Sequence, residues 1–321
     1  MSHPTVSILI PVYNREDYIG ECIESALKQS FVDFEIVIVD NASNDKTWEI
    51  CEEYASLDHR IRIYRNDENI GPVRNWLACL DYANGEYGKI LFSDDLMRPD
   101  CLESTILLFN PDVGFVFSQV MLGEKTWSGE GECCWHTATG IYDASSFIDA
   151  SLYGGSGVPV SPCAGIFRLK DIRNALESEI SIPNVSDFLD YGAGPDLFVF
   201  LMAANRYKKV GYNHEMLMFF RVHSDSISTA QSETVPERYG QTRMYFAGEY
   251  LNTHQFNRVL MLEWLSSMKR KRKFIGFKSF YRLNCNEKHA GEFSVSVLFW
   301  ASIKLIGNII KGRWPRRSPI E

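Results

Sequence analysis

The apolar positions of the first 120 residues fall into short continuous runs separated by amphipathic stretches, and the two patterns alternate along the chain. "VSILIPV" (6–12) is a β-branched run that reads as a buried strand. Beyond it Ile19, Cys22, Ile23, Ala26 and Leu27 recur at helical spacing, with Asn14 and Asp17 placed as a helix-start pair. "FEIVIVD" (34–40) predicts a second strand, "NASND" a turn, and Trp48, Cys51 and Tyr54 a second helix. "IRIYR" (61–65) is a third strand, followed by a helix from Pro72 to Ala83 whose proline sits at a tolerated first-turn position. "YGKILFS" (87–93) predicts a fourth strand, Asp100 opens another helix, and "VGFVFSQV" (113–120) is a fifth strand. Such alternation predicts an α/β fold with a mostly parallel, doubly wound sheet.

Residues 121–195 are less regular and rich in Gly, Ser and Trp, and they read as loops and short elements covering one edge of that sheet. A helix follows from Pro195, and "YKKVGYN" with "MLMFFRVHSDSIS" reads as a strand pair closing the unit. From Tyr239 the pattern is helical. The expected organisation is a first domain over 1–238, its halves meeting at residue 120, and a helical extension over 239–321.

Composition supports a sizeable core, with 321 residues of which 45% are hydrophobic. The net charge of −8 conceals a division. Residues 1–240 carry 18 Lys and Arg against 36 Asp and Glu, whereas residues 241–321 carry 15 against 5, so an acidic body precedes a basic tail. Eight cysteines show no CxxC pair, which argues against a zinc ribbon or a disulfide framework and for a reducing cytoplasm. The opening "MSHPTVSILIPVYN" lacks the basic and long apolar regions of a secretory leader. In the tail, "MKRKRKF" (268–274) and "GRWPRR" (312–317) bracket the apolar run "FSVSVLFWASIKLIGNII" (293–310), which contains Lys304 and Asn308. That run sits at the lower limit for crossing a bilayer, and an interfacial helix on an anionic membrane surface fits it better. No nucleic-acid-binding pattern accompanies the basic runs.

In doubly wound sheets, ligands bind beyond the carboxyl ends of the strands. Strand one ends in "PVYN", strand two in "VDNASND" and strand four in "FSDD", so Tyr13, Asp40, Asn41, Asp94 and Asp95 should gather along one edge. The absence of GxGxxG after the first strand, and of GxxxxGK[ST] anywhere, argues against a nicotinamide dinucleotide or a P-loop nucleotide. Asp94 and Asp95 are hard oxygen ligands suited to Mg²⁺ or Mn²⁺, whose shell substrate phosphates complete. Tyr13 could stack on a base, while Asp40 and Asn41 offer acceptors to a uracil-type imide N–H. Arg74, one turn into its helix, is placed to reach the same nucleotide. Taken singly, each has a plainer reading as a turn, a helix cap or a surface arginine.

Together these stretches resemble the family 2 glycosyltransferases of the GT-A fold. The resemblance rests on "SILIPVYNREDYIGECIESALKQSFVDFEIVIVDNASND", "NIGPVRNWLACLDYANGEY", "ILFSDDLMRPDCL" and "GPDLFVFLMAANRYKKVGYNHEMLMFFRVHSDSIS", and covers about residues 5–230. It implies a nucleotide-binding half over 1–120 and an acceptor half over 121–238. Pro11, Tyr13, Asp40, Asn41, Arg74 and Asp94 would frame the nucleotide, and Asp95 with Asp94 would hold the metal. Asp196 would be the catalytic base, and Arg221 and His223 would lie near the diphosphate. The implied activity is a single inverting transfer from a nucleotide-sugar donor, most commonly a UDP-sugar. Three positions depart from the family's usual pattern: Asn41 for an acid, Ser93 for a further metal-motif aspartate, and Pro195 for an acid before the base. The Gln-x-x-Arg-Trp segment of processive synthases is absent, which implies one sugar per encounter. With the basic tail, the expected acceptor is a lipid-linked saccharide of O-antigen or capsule assembly at the cytoplasmic face of a membrane. Two alternatives stand beside it: a donor-binding but catalytically degenerate module, and a metal-dependent phosphohydrolase or nucleotidyltransferase.

Overall fold

The two apolar runs that open the chain lie side by side as parallel strands, β1 (Val6–Val12) and β2 (Phe34–Asp40), in register from Val6 with Phe34 to Val12 with Asp40. Every β2 residue is buried, as expected of a strand covered on both faces, which is why its sequence shows no polar alternation. The intervening helix α1 (Ile19–Leu27) buries Ile19, Cys22, Ile23 and Ala26 as its apolar stripe. After α2 (Thr47–Leu57), β3 (Ile61–Arg65) pairs with β2; after α3 (Pro72–Tyr82), β4 (Tyr87–Ile90) pairs with β1 on its other side. Both pairings are parallel, giving the order β3-β2-β1-β4. The computed structural model describes residues 3–153, 157–180, 182, 185, 187–224, 226, 233–271, 276, 277, 280 and 281.

Two details of this half differ from the sequence reading. Asn14 and Asp17 do not cap α1, whose N-cap position is Tyr18 with no side-chain hydrogen bond. Asn14 instead takes a left-handed backbone (φ 49°), which asparagine tolerates. Its N–H donates to Ser43 Oγ (2.9 Å) and its Oδ1 accepts from the Asn44 N–H (3.0 Å), tying the end of β1 to the turn after β2. The fourth strand stops at Ile90 rather than Ser93, because the chain turns there: the Asp95 N–H donates back to the Phe92 carbonyl (2.9 Å).

Beyond β4 the sheet becomes mixed. In chain order come β5 (Leu96–Met97), α4 (Cys101–Ile106), β6 (Val113–Lys125), β7 (Ser128–Glu132), β8 (Gly140–Asp143), α5 (Ala144–Leu152), β9 (Gly165–Arg168), α6 (Leu169–Leu176), α7 (Pro195–Arg206) and β10 (Lys209–Arg221). The sheet continues from β4 as β9-β6-β10-β5. β9 runs antiparallel to both of its neighbours, β10 runs parallel to β6, and β7 and β8 add antiparallel pairs to β6 and β10. The segment read as edge-covering loops therefore supplies a buried interior strand, β9, together with α5 and α6. Four residues are too few to register as a period. The expected strand pair near residue 214 is one 13-residue strand, β10, whose pairing with β6 shifts register between Asn213 and Met218.

The chain divides into two compact units, Met1–Thr242 and Arg243–Glu321. The boundary falls within α8 (Val235–Tyr250), which is followed by α9 (Thr253–Lys271). In the second unit Phe246, Ala247, Phe256, Val259 and Leu260 are buried, and Arg243 pairs with Glu263 at 2.7 Å. Among the described residues no helix is long and apolar enough to cross a membrane, and the segments 293–310 and 312–317 lie outside them.

The core of the first unit's mixed half is aromatic. Phe115 is fully buried, with the rings of Phe147, Phe200 and Phe167 at 4.9, 5.1 and 5.4 Å. Removing that ring leaves a cavity the neighbours cannot close, so Phe115→Ala should cost about 3–5 kcal/mol of stability, read from the midpoint and slope of a denaturant titration.

Candidate active site

The acidic pair stands in the turn that ends β4. Asp95 is 6% exposed and its Oδ1 accepts from the backbone N–H of Arg221 (3.0 Å). Burial, reinforced by the neighbouring Asp94, holds the Asp95 carboxyl well above the usual range. Asp94 is the better-framed of the two: its Oδ2 lies 2.9 Å from His223 Nε2 and 3.4 Å from Arg15 Nε. Arg221 Nε donates to the Asp94 carbonyl (3.2 Å), and its guanidinium pairs with Glu21 at 2.6 Å and lies over the Tyr18 ring at 5.2 Å. Tyr18 also packs on the His223 ring, with centroids 4.8 Å apart. β5 and β10 explain why residues so far apart meet. Phe219 pairs with Leu96 and Met218 with Met97, so the chain just after the acids is hydrogen-bonded to the strand that ends in Arg221.

Two adjacent carboxylates, one of them pushed toward its neutral form, suit a divalent cation, and the arrangement limits how it is held. Among the described residues no cluster of three His, Cys, Asp or Glu is placed to bind an ion alone. Asp94 and Asp95 would hold Mg²⁺ or Mn²⁺ with part of the shell left for another donor such as a phosphate.

The expected nucleotide contacts divide. Pro11 is in β1 opposite Val39, and Tyr13, 38% exposed, follows the strand end. Asp40 and Asn41 are both engaged within the protein. Asp40 is fully buried; Ser43 donates to both its oxygens, through hydroxyl and N–H, and Arg65 pairs with it at 3.1 Å. The Asn41 amide makes all four of its bonds inside the protein. It accepts from Asn66 Nδ2 and the Ile70 N–H (both 3.0 Å), and donates to Asn69 Oδ1 (2.9 Å) and the Gly71 carbonyl (3.3 Å). Together they hold the loop leading into α3. Arg74, in the first turn of α3, is engaged by Asp187 and by Asp190 (3.1 Å).

Asp196 lies at the start of α7, 7% exposed, behind a Gly194 whose positive φ of 116° makes the turn into the helix. Its Oδ1 accepts from the N–H groups of Gly194 (2.8 Å) and Leu197 (2.6 Å), and its Oδ2 from the Tyr239 hydroxyl (2.6 Å). Burial outweighs those three donors and raises its pKa to about 7. Trp76 connects this loop to the acidic pair. Its ring packs against Phe92, two residues before Asp94, at 5.4 Å, and lies beside Gly192, whose carbonyl accepts from the Asp196 N–H.

The sequence profile of glycosyl transferase family 2 matches residues 7–171, more than half of the chain. The protein belongs to that family. Chondroitin synthase of Escherichia coli is 39% identical over 111 residues, 34% of this chain and 16% of the synthase. The chain covers between 14% and 43% of the length of eight curated relatives that it matches. Among solved structures, Staphylococcus aureus TarS 1–349 in complex with UDP superposes with a TM-score of 0.61 at 16% identity, covering 99% of this chain and 94% of that one. The mannosyltransferase PcManGT of Pyrobaculum calidifontis, in complex with GDP-Man and Mn²⁺, gives 0.54 at 14% identity, covering 98% and 88%. This likeness speaks for the fold, which is GT-A.

For a family 2 chain, sequence reasoning passed over four residues of the frame. Arg15, Tyr18 and Glu21 all follow β1 within two turns, and their only signal was proximity to a strand end. Lys89 carried a clearer one, a charge inside an apolar run. It is 1% exposed, its Nζ donates to the Cys163 and Gly165 carbonyls, and it acts on Asp95 as a buried positive charge. A carboxyl whose pKa rises on folding costs stability at every pH above its unfolded value, in full once it ionises in the native state. Asp95→Asn keeps the acceptor for the Arg221 N–H and removes the charge, so it should raise the thermal midpoint of the metal-free protein by at least about 2 °C at pH 8, measured by calorimetry.

Proposed function

We propose that this family 2 glycosyltransferase moves one sugar per encounter from a UDP-sugar to a lipid-linked glycan in cell-surface polysaccharide assembly, with inversion at the anomeric carbon. The observation that carries the reading is Asp196, a buried carboxylate at a helix start with a pKa near neutrality, suited to taking a proton at physiological pH. In the proposed step Asp196 accepts the proton of the acceptor hydroxyl as its oxygen bonds to the anomeric carbon. The bond from that carbon to the diphosphate oxygen breaks, and the nucleoside diphosphate leaves with the electron pair. His223, with Nε2 on Asp94, and Arg221, half-enclosed by Tyr18 and Glu21, stand where the leaving diphosphate gathers charge. Mg²⁺ or Mn²⁺ on Asp94 and Asp95 would supply further positive charge to that diphosphate. The choice of a uridine donor draws on TarS, solved with UDP, and the cation on PcManGT, solved with Mn²⁺. The polysaccharide setting draws on chondroitin synthase. Family membership sets aside the phosphohydrolase reading. The reading as a degenerate donor-binding module draws on the two-carboxylate site with Ser93 beside it, and one experiment separates it from catalysis.

Asp196→Asn should lower transfer by about 10²–10⁴-fold, assayed as UDP release from a panel of UDP-sugars with lipid-extracted glycan acceptor. Donor binding in Mn²⁺, followed by calorimetric titration, should survive the change. Wild-type protein that binds a donor but never turns it over would point to the degenerate module. The lipid-linked acceptor and peripheral membrane location rest on the basic, apolar tail. Deletion of residues 291–321 should move the protein from the membrane pellet to the supernatant, and continued sedimentation with membranes would defeat that part.

A further inference from the structure

Asp196 is held asymmetrically. Oδ1 takes two backbone N–H donors, from Gly194 and Leu197, and these occupy both of its lone pairs. Oδ2 takes one donor, the Tyr239 hydroxyl at 2.6 Å, which leaves a single lone pair on that oxygen. Any proton Asp196 removes from an acceptor must therefore arrive at Oδ2, the atom Tyr239 touches. We propose that Tyr239 is the positioning residue of the general base: its hydroxyl selects Oδ2 as the working oxygen, fixes the direction of the remaining lone pair, and keeps the carboxylate ready to receive a proton. The proposal rests on the reading of Asp196 as base.

The electrostatic surroundings give Tyr239 unusual leverage. At the start of α7 the groups facing Asp196 are its two backbone N–H donors, from the N-cap residue Gly194 and from Leu197. On α8, Arg238 neighbours Tyr239 but stacks its guanidinium on Tyr191, 3.2 Å from the ring centroid. The segment before α7 carries Asp187 and Asp190, both engaged by Arg74 of α3. Among the described residues no ion pair reaches Asp196. Its ionisation is thus balanced between burial, which favours the neutral form, and three neutral donors, of which Tyr239 is the one side chain. Removing a donor from a carboxylate disfavours its charge, so the carboxyl of Tyr239→Phe should titrate at higher pH than that of wild type.

The decisive measurement is a pH titration of full-length protein carrying ¹³C-carboxyl aspartate, with the Asp196 resonance identified by its loss in Asp196→Asn. In Tyr239→Phe its midpoint should rise by about 0.5–1 pH unit, a three- to tenfold change in proton affinity. Transfer should fall by a similar factor at pH 6–7 and converge on wild type by about pH 9, where both carboxyls are ionised. A merely structural role would depress transfer equally at every pH. A second variant keeps the ring and its packing: fluorotyrosine at position 239, a stronger donor of nearly the same shape, should move the midpoint the other way. An Asp196 resonance that titrates identically in all three proteins, or a transfer deficit that does not vary with pH, overturns the proposal. Should the midpoint move while Asp196→Asn still transfers sugar, the reading of Asp196 as base fails and the positioning role fails with it. Should Asp196→Asn be inactive and the midpoint stay fixed, the base stands and Tyr239 does not position it.

Discussion

Two carboxylates placed next to each other at the end of a buried strand repel, and much of this structure can be read as the means of keeping Asp94 and Asp95 where they are. The groups that oppose the repulsion come from three separate stretches. Arg15 follows β1, Lys89 lies within β4, and Arg221 ends β10 with His223 two residues beyond it. They meet only because the sheet orders β1 beside β4 and brings β10 back to pair with β5 directly after the acids. A different strand order would leave the pair without that frame.

The two buried acids of the site show how environment assigns chemistry. Asp95 and Asp196 are about equally hidden, and burial pushes both upward. Asp95 also has a like charge beside it and accepts one backbone N–H, so its ionised form is best satisfied by a cation. Asp196 has three neutral donors and no second carboxylate, so its ionised form persists near neutrality. One suits holding a metal and the other suits exchanging a proton, although the side chains are identical.

Much of the fold was legible because the first half is built from runs long enough to carry a period: the continuous apolar strands β1 and β2 and the amphipathic α1 and α3 appear where the pattern puts them. Legibility fails where elements are short or depend on distant partners. β9 has four residues and owes its place inside the sheet to β4 and β6. β10 looked like two strands because the register shift near residue 214 interrupts its apolar run. At the site, the strand ends located the acids, but position alone could not tell a ligand contact from a structural one. Asn41 stands at the expected place and spends its whole hydrogen-bonding capacity on the loop of residues 66–71. Tyr239 left no trace in the sequence, since it meets Asp196 across 43 positions through tertiary packing alone.

The helix that carries Tyr239 has a consequence for how such proteins can diversify. Because α8 runs from Val235 to Tyr250, it begins in the compact unit of the sheet and ends in the unit that leads to the basic tail. A chimera joined at residue 238, where composition invites a cut, would take Asp196 from one parent and its tyrosine partner from another. The tail of this chain is therefore not a module separable at that seam; a junction that preserves the pair must lie beyond Tyr239, and one that also preserves the helix must lie beyond Tyr250.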